Sequence, residues 1–219
     1  MAYIVSNCSG SRYSHSMPAR THPRKAPRQA RSRLTVEALL DAAAQVFERH
    51  GYAAGTTNRI AERAGVSIGS LYQYYPNKDA ILVALVEQHL DEGAAAAGPV
   101  LAALAADVPP IEDGMRRLVE AMVALHRDRP ALHRVLFEEA PRPPALRRRL
   151  EELEEAATAA VAAYLRASGA TDRDPSRAAR MVVRVVETVT HELVLRPRGV
   201  PVDAHVDEAV VLLTRYLGK

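Results

Sequence analysis

The sequence predicts an all-α protein, and three observations lead there. Ala, Leu, Val, Glu and Arg dominate while Trp is absent and aromatic residues make up only 5%, a composition that favours helix over sheet. Apolar residues recur three and four apart, and no segment shows the strict alternation of a half-buried strand. Prolines, glycines and capping residues divide this pattern into about nine helices. With 219 residues the chain is long enough for a sizeable core, as one large domain or two small ones.

Residues 1–34 carry Arg12, Arg20, Arg24, Lys25, Arg28, Arg31 and Arg33 and no acid. Against a net charge of +3 for the whole chain, that leaves the remainder at −4. Ser, Pro, Gly and His are interspersed without apolar periodicity, so the segment is expected to be a disordered basic tail. Its stretch from Arg24 to Arg33 is a candidate arm for phosphate or minor-groove contacts; the alternative is a solvated leader. Met17 could also begin the protein.

The first helix is expected from Thr35, as N-cap, to His50, with Gly51 ending it and Leu39, Leu40, Ala43, Val46 and Phe47 as its buried stripe. A second, near Thr57–Ala64, puts Ile60, Ala61 and Ala64 on one face. Gly65 stops it, because a residue without a side chain takes the left-handed conformation at little cost. Ser67 then caps a third helix, Ile68–Tyr74, whose Leu71 turns back with Val66 toward Ile60 and Ala61. Two short helices joined by so tight a turn form a helix-turn-helix, whose second helix can lie in the DNA major groove. Pro76 closes the third helix and Asn77 caps a fourth, with Ile81, Leu82, Leu85 and Val86 inward. Gly98 and Pro99 are expected to break the alanine-rich run that follows.

Pro109 and Pro110 precede a fifth helix to about Arg127, with Met115, Leu118, Met122 and Leu125 on its apolar face. Pro130 opens a short sixth, carrying Leu132, Leu136 and Phe137. The seventh is expected over Ala145–Ala167, with Leu146, Leu150, Leu153, Ala157, Val161 and Leu165 at helical spacing. Asp174 and Pro175 start an eighth reaching about Leu195, and the last spans about Asp203–Leu217. In these final two, apolar residues spread round most of the circumference: Met181, Val182, Val183, Val185, Val186, Val189, Leu193, Val194 and Leu195, then Val206, Ala209–Leu213, Tyr216 and Leu217. A surface wider than one stripe needs burial on two sides. The second side is most simply another copy of the chain, through helices at about 175–195 and 203–217; the alternative is two helices central to one subunit.

The outward face of the third helix carries no charge, since none occurs between Arg63 and Lys78. Ser67, Ser70, Tyr72, Gln73 and Tyr74 supply hydroxyls and a carboxamide suited to base edges and phosphates, and Gly69 permits close backbone approach. Thr57 and Lys78, at helix starts, are candidates for phosphate. Gln73 has the two-pronged geometry that pairs with adenine.

The segment Leu34–Leu85, with Ala64–Leu82 (AGVSIGSLYQYYPNKDAIL) at its heart, resembles the DNA-binding domain of the tetracycline-repressor (TetR) family of bacterial regulators. The match covers about a quarter of the chain: turn, cap, Leu71-Tyr72 and Asn77-Lys78 fall in the family's register. Tyr75 stands where the family more often has Phe, and Ile68 where relatives often have Lys or Arg, which removes one possible phosphate contact. The resemblance implies three divisions: the tail at 1–34, a helix-turn-helix DNA-binding domain at 35–76, and a helical effector-binding and dimerisation domain at 77–219. It implies a dimer released from a palindromic operator by a small molecule, most simply a repressor. An activator, or a broadly binding architectural DNA protein of the same fold, are the alternatives. Candidate lining residues for an effector pocket, chosen as large, adaptable or polar groups on apolar helices, are Met115, Met122, His126, Phe137, Tyr164, Met181, Thr188 and His191; core packing is the alternative for each.

Other chemistries are disfavoured. Gly65–Gly69 matches a Gly-x-Ser-x-Gly pattern, but a helix precedes it and no sheet is expected, so the strained strand-to-helix turn of a hydrolase has no setting. His191-Glu192 begins like a zinc-protease helix, yet the second His would fall at Leu195. His126, His133, Glu138 and Glu139 fit no common ligand spacing, so neither a metal nor a cofactor is expected. Arg147–Arg149 faces Glu151, Glu152, Glu154 and Glu155, a solvated surface with helical ion pairs rather than a nucleic-acid patch. The single Cys8 cannot form an internal disulfide, no apolar run approaches the roughly 20 residues of a membrane span, and no signal peptide is visible. A cytoplasmic protein without enzymatic activity is the expectation.

Overall fold

A computed structural model describes residues 30–218, apart from positions 128, 195, 197 and 198. The tail through residue 29 therefore lies outside the described residues, as does Leu195. Among the described residues all regular structure is helical: α1 Ala30–Ala54, α2 Thr57–Arg63, α3 Ile68–Tyr74, α4 Lys78–Asp107, α5 Ile111–Arg127, α6 Pro130–Glu138, α7 Pro144–Ser168 and α8 Pro175–Thr188. A π-helical turn, Val189–Val194, extends α8, and α9 spans Val202–Leu217. None of these helices is long and apolar enough to cross a membrane.

Three of the expected caps are present. Ser67 Oγ accepts from Ser70 N at 3.1 Å, Asn77 Oδ1 from Ala80 N at 2.8 Å and Asp174 Oδ1 from Arg177 N at 2.9 Å. Gly51 and Gly65 have φ of 70° and 68°, where a β-carbon would meet the backbone, so α1 is interrupted at the first and α2 ends before the second.

Two expectations fail at breaks the sequence suggests. The first helix begins at Ala30 instead of being capped by Thr35, so Arg31 and Arg33 belong to α1 and not to a disordered tail. Nothing between Ala30 and Leu34 opposes helix, and Thr is tolerated within one. Likewise α4 runs unbroken through Gly98 and Pro99. Proline there forgoes one backbone bond, and the alanine- and leucine-rich turns on either side carry the helix across.

Packing forms two cores. One joins Leu39, Ala43 and Phe47 of α1, Ile60 and Ala61 of α2, Leu71 of α3 and Tyr75 to the first half of α4, Leu132, Val135 and Leu136 of α6, and Leu146. The other joins Leu104, α5, the second half of α7, α8 and α9. The helix-turn-helix thus shares its core with α6, and α4 threads both cores.

Gly55 allows the closest approach in the first core. A β-carbon there would lie 2.5 Å from the Phe47 ring and 2.9 Å from Gly51 O. In the second core, Gly114 leaves room for Tyr164, whose hydroxyl would stand 2.3 Å from a β-carbon at 114 and donates to Pro109 O at 2.8 Å.

Candidate nucleic-acid interface

The fold turns one side of α3 outward. Leu71 is buried, while Ile68, Gly69, Tyr72 and Gln73 are exposed and Ser70 half-buried. Val66 N donates to Ala61 O at 3.0 Å and closes the turn, so α3 crosses α2 in a fixed pose. Thr57, at the start of α2, meets this face: its Oγ1 lies 3.2 Å from the Tyr72 hydroxyl, and either group can donate. Ser67 Oγ and Ser70 Oγ are 2.8 Å apart. A β-carbon on Gly69 would touch only Ser67 Oγ, at 3.9 Å, so the glycine faces open space. Four hydroxyls, a carboxamide and an uncovered backbone turn therefore share one surface.

Two expected members stand apart. Tyr74 is half-buried and packs against the first core. Lys78 is turned inward: its Nζ donates to Tyr52 O at 2.9 Å and lies 4.0 Å above the Tyr52 ring. The Tyr52 hydroxyl in turn donates to Asp79. Lys78 thus ties the end of α1 to the start of α4. Arg59 and Arg63, exposed one turn apart on α2, were absent from the sequence-derived set. Arg59 Nη1 donates to Ala54 O at 3.1 Å and Arg63 Nε to Gln45 Oε1 at 2.6 Å. Their i,i+4 spacing on the polar side of α2 was the available signal.

The residues expected to line an effector pocket separate into three groups. Met115 and Tyr164 are fully buried in the second core and Met122 packs at its edge. Met181 and Thr188 are exposed and line no interior. His126, Phe137 and His191 do come together, with His89 of α4 and His133 of α6 among them. The His126 ring centre lies 4.8 Å from His89, 4.9 Å from His133 and 5.2 Å from His191, and the Phe137 ring centre is 3.8 Å from that of His191, the two planes tilted by 46°. Sequence reasoning missed His89, and it weighed His126 with His133 only as an ill-spaced ligand set without joining them to His191, because the four histidines come from four separate elements.

This cluster is electrically neutral at neutral pH. Burial lowers His89 and His191 to about 3 and His126 to about 4, and lowers His133, since a charged imidazole would forfeit hydration. His126 Nδ1 lies 2.8 Å from Met122 O, an acceptor, so Nδ1 carries the proton and Nε2 presents its lone pair. His89 Nε2, 3.1 Å away, donates to it. His89 Nδ1 is then a bare nitrogen, buried without a partner.

Residues 39–85 match the family model described as bacterial regulatory proteins, tetR family, and residues 110–217 that of the tetracyclin repressor-like C-terminal domain. An uncharacterised helix-turn-helix transcriptional regulator of Mycobacterium tuberculosis is 31% identical over 162 residues, 73% of this chain and 76% of its own. The first curated relatives matched align over only 22–30% of their own length. Among solved structures, a TetR-family regulator from Mesorhizobium loti superposes with a TM-score of 0.65 at 21% identity, over 87% of this chain and all of that one. The regulator FadR of Bacillus subtilis, in complex with stearoyl-CoA, gives 0.58 at 21% identity, over 81% and 97%. At such identities the likeness is one of fold.

Proposed function

From a chain that belongs to the TetR family of DNA-binding transcriptional regulators, we infer a dimeric repressor that leaves a palindromic operator when a small molecule binds. The observation that carries this reading is the uncharged outward face of α3, anchored by the Thr57–Tyr72 contact. Ser70, Tyr72 and Gln73 read bases; Thr57, Ser67 and the Gly69 backbone position on phosphate, with Arg59 and Arg63 as cationic support. Tyr74 and Lys78 act by holding α3 and α4 in place.

The dimer is supported by apolar groups left outside. Met181 of α8 and Val211 and Leu212 of α9 are 48%, 44% and 55% exposed, beside helices whose other sides fill the second core. Arg177 and Arg180 on α8 and Glu208 on α9 are exposed on the same two helices and supply charges of both signs, which suits a two-fold pairing of like surfaces. Such a pair presents α3 twice, at major grooves about 34–36 Å apart or a multiple of it. The acyl-CoA bound by the B. subtilis neighbour makes an apolar or amphipathic effector the first to try.

Selection of DNA fragments by the full-length protein, followed by competition of the selected duplex against random DNA, tests the reading. A palindromic consensus bound in strong preference to random DNA is expected. Equal affinity for both would instead indicate an architectural binder.

A further inference from the structure

Helices α1, α4 and α6 leave a cleft of about 70 Å³ between them. A buried water takes up about 10–15 Å³ on the same scale, so the cleft holds roughly five non-hydrogen atoms and no drug-sized body. Its lining grades from exposed to buried. Asp41 and Glu92 are exposed and form the rim, while Leu85, Leu132 and Leu136 are buried apolar walls. His89 and His133, also in the lining, are each only 6% exposed.

The polar groups left over in this lining are acceptors. His126 Nδ1 donates to Met122 O at 2.8 Å, so its Nε2 accepts from His89 Nε2 at 3.1 Å, and the neutral His89 ring keeps a bare Nδ1. That nitrogen is buried without a partner, a condition folded proteins rarely leave standing. His133 Nδ1 donates to His126 O at 3.3 Å, which makes its Nε2 an acceptor as well. The donors of the lining are engaged, Arg129 Nη2 with Glu48 at 2.8 Å and Gln88 Nε2 with Glu92 at 3.0 Å. With Arg129 compensated by Glu48, the carboxylates of Asp41 and Glu92 leave the rim negative.

We propose that this cleft binds a small amino alcohol, a short alkyl chain with an ammonium at one end and a hydroxyl at the other. The hydroxyl enters and donates to His89 Nδ1, the methylenes lie against the leucines, and the ammonium stays at the rim beside Asp41 and Glu92. Desolvation sets this order. A cation carried in to the neutral imidazoles would lose its hydration with no buried carboxylate to replace it, whereas a hydroxyl needs only an acceptor. At the rim the ammonium keeps both water and the carboxylates. Every imidazole retains its present pose and hydrogen bonds.

The location gives such a ligand a regulatory consequence, which rests on the proposed function. The wall residues Leu132 and Leu136 of α6 share the core of the helix-turn-helix, and Arg129 ties the start of α6 to Glu48 of α1. His89 belongs to α4, which starts at the recognition unit. A molecule seated among α1, α4 and α6 biases the pose of the reading head to the extent that it fits one pose better than another.

Titration of the full-length protein with 3-aminopropan-1-ol tests the site, followed by nitrogen NMR of histidine-labelled protein. Saturable binding is expected, with the resonance of one bare imidazole nitrogen moving as it gains a hydrogen bond. Butylamine has a methyl in place of the hydroxyl, and 1,3-propanediol lacks the charge; each should bind about fivefold more weakly or worse, the loss of one hydrogen bond. The variants act on one end each. His89→Phe should erase the preference over butylamine, and Asp41→Asn with Glu92→Gln the preference over 1,3-propanediol. Circular dichroism identifies any variant that has not folded; the rim variant, at exposed positions, serves if His89→Phe fails. Equal binding of the three compounds, or parental preferences in the folded variants, overturns the site. Operator affinity is read separately, with and without 3-aminopropan-1-ol. A change of about fivefold or more supports the coupling, and no change overturns the coupling alone. Protein that selects no DNA sequence would count against the proposed function and not against the cleft.

Discussion

The hydroxyls of Thr57 and Tyr72 lie 3.2 Å apart, joining the first turn of α2 to the exposed face of α3 across 15 residues of sequence. The contact holds the most prominent aromatic ring of that face in one orientation. Tyr72→Phe should therefore weaken operator binding by about fivefold, the loss of one hydrogen bond of roughly 1 kcal/mol, and Tyr72→Ala by tenfold or more. Because the side chain is exposed, the melting temperature should stay within a few degrees. Fluorescence anisotropy on labelled operator and thermal unfolding measure the two effects. Parental affinity in Tyr72→Ala would remove this residue from the interface.

Two glycines that look alike in the sequence should behave oppositely. Gly55→Ala drives a methyl into the Phe47 ring and the Gly51 carbonyl, and should cost about 1–3 kcal/mol in urea unfolding. Gly69→Ala meets open space within a helix and should leave stability unchanged or raise it by up to about 1 kcal/mol. Its methyl, however, stands on the DNA-facing side, so operator affinity should fall. A variant at Gly69 that binds DNA normally would show that the backbone is not approached there.

Leu212→Glu replaces the most exposed of the apolar side chains that α8 and α9 leave outside with a carboxylate. Sedimentation should show a shift from dimer toward monomer, with loss of binding to a full palindrome, while helicity is kept because Leu212 is 55% exposed in the single chain. An unaltered dimer would assign the contact to another surface.

The histidine cluster sets an acid limit on stability. The ordinary value of 6.5, taken for the unfolded chain, exceeds the folded values of about 3 for His89 and His191 and about 4 for His126. Below pH 6.5 the unfolded chain binds more protons than the folded one. Stability from these groups is thus complete above about pH 6.5 and lost as the pH falls toward 3–4. His191→Phe should flatten the slope of unfolding free energy against pH between about 6 and 4 by up to about 1.4 kcal/mol per pH unit, one proton's worth. Urea unfolding in EDTA across that range measures it, and an unchanged slope would mean that His191 does not take part.

Much of this was legible in the sequence because it is encoded locally. Caps at Ser67, Asn77 and Asp174, the interruption at Gly51, the stop at Gly65, and apolar stripes at helical spacing each depend on residues within one or two turns, so the nine α-helices among the described residues and the helix-turn-helix could be read along the chain. The errors are of the same origin: Thr35 and Pro99 are local signals that a longer run of helix-forming neighbours overrode.

What only the tertiary structure decided depends on residues far apart in the chain. It turned Lys78 inward onto Tyr52, set Tyr74 against the core, buried Met115 and Tyr164, and left Met181 outside. It also gathered His89, His126, His133 and His191 from four elements into one cluster. Periodicity tells which face of a helix is apolar but not which other helix that face meets. Partners of this kind are set by the packing of whole elements, which no window of sequence contains.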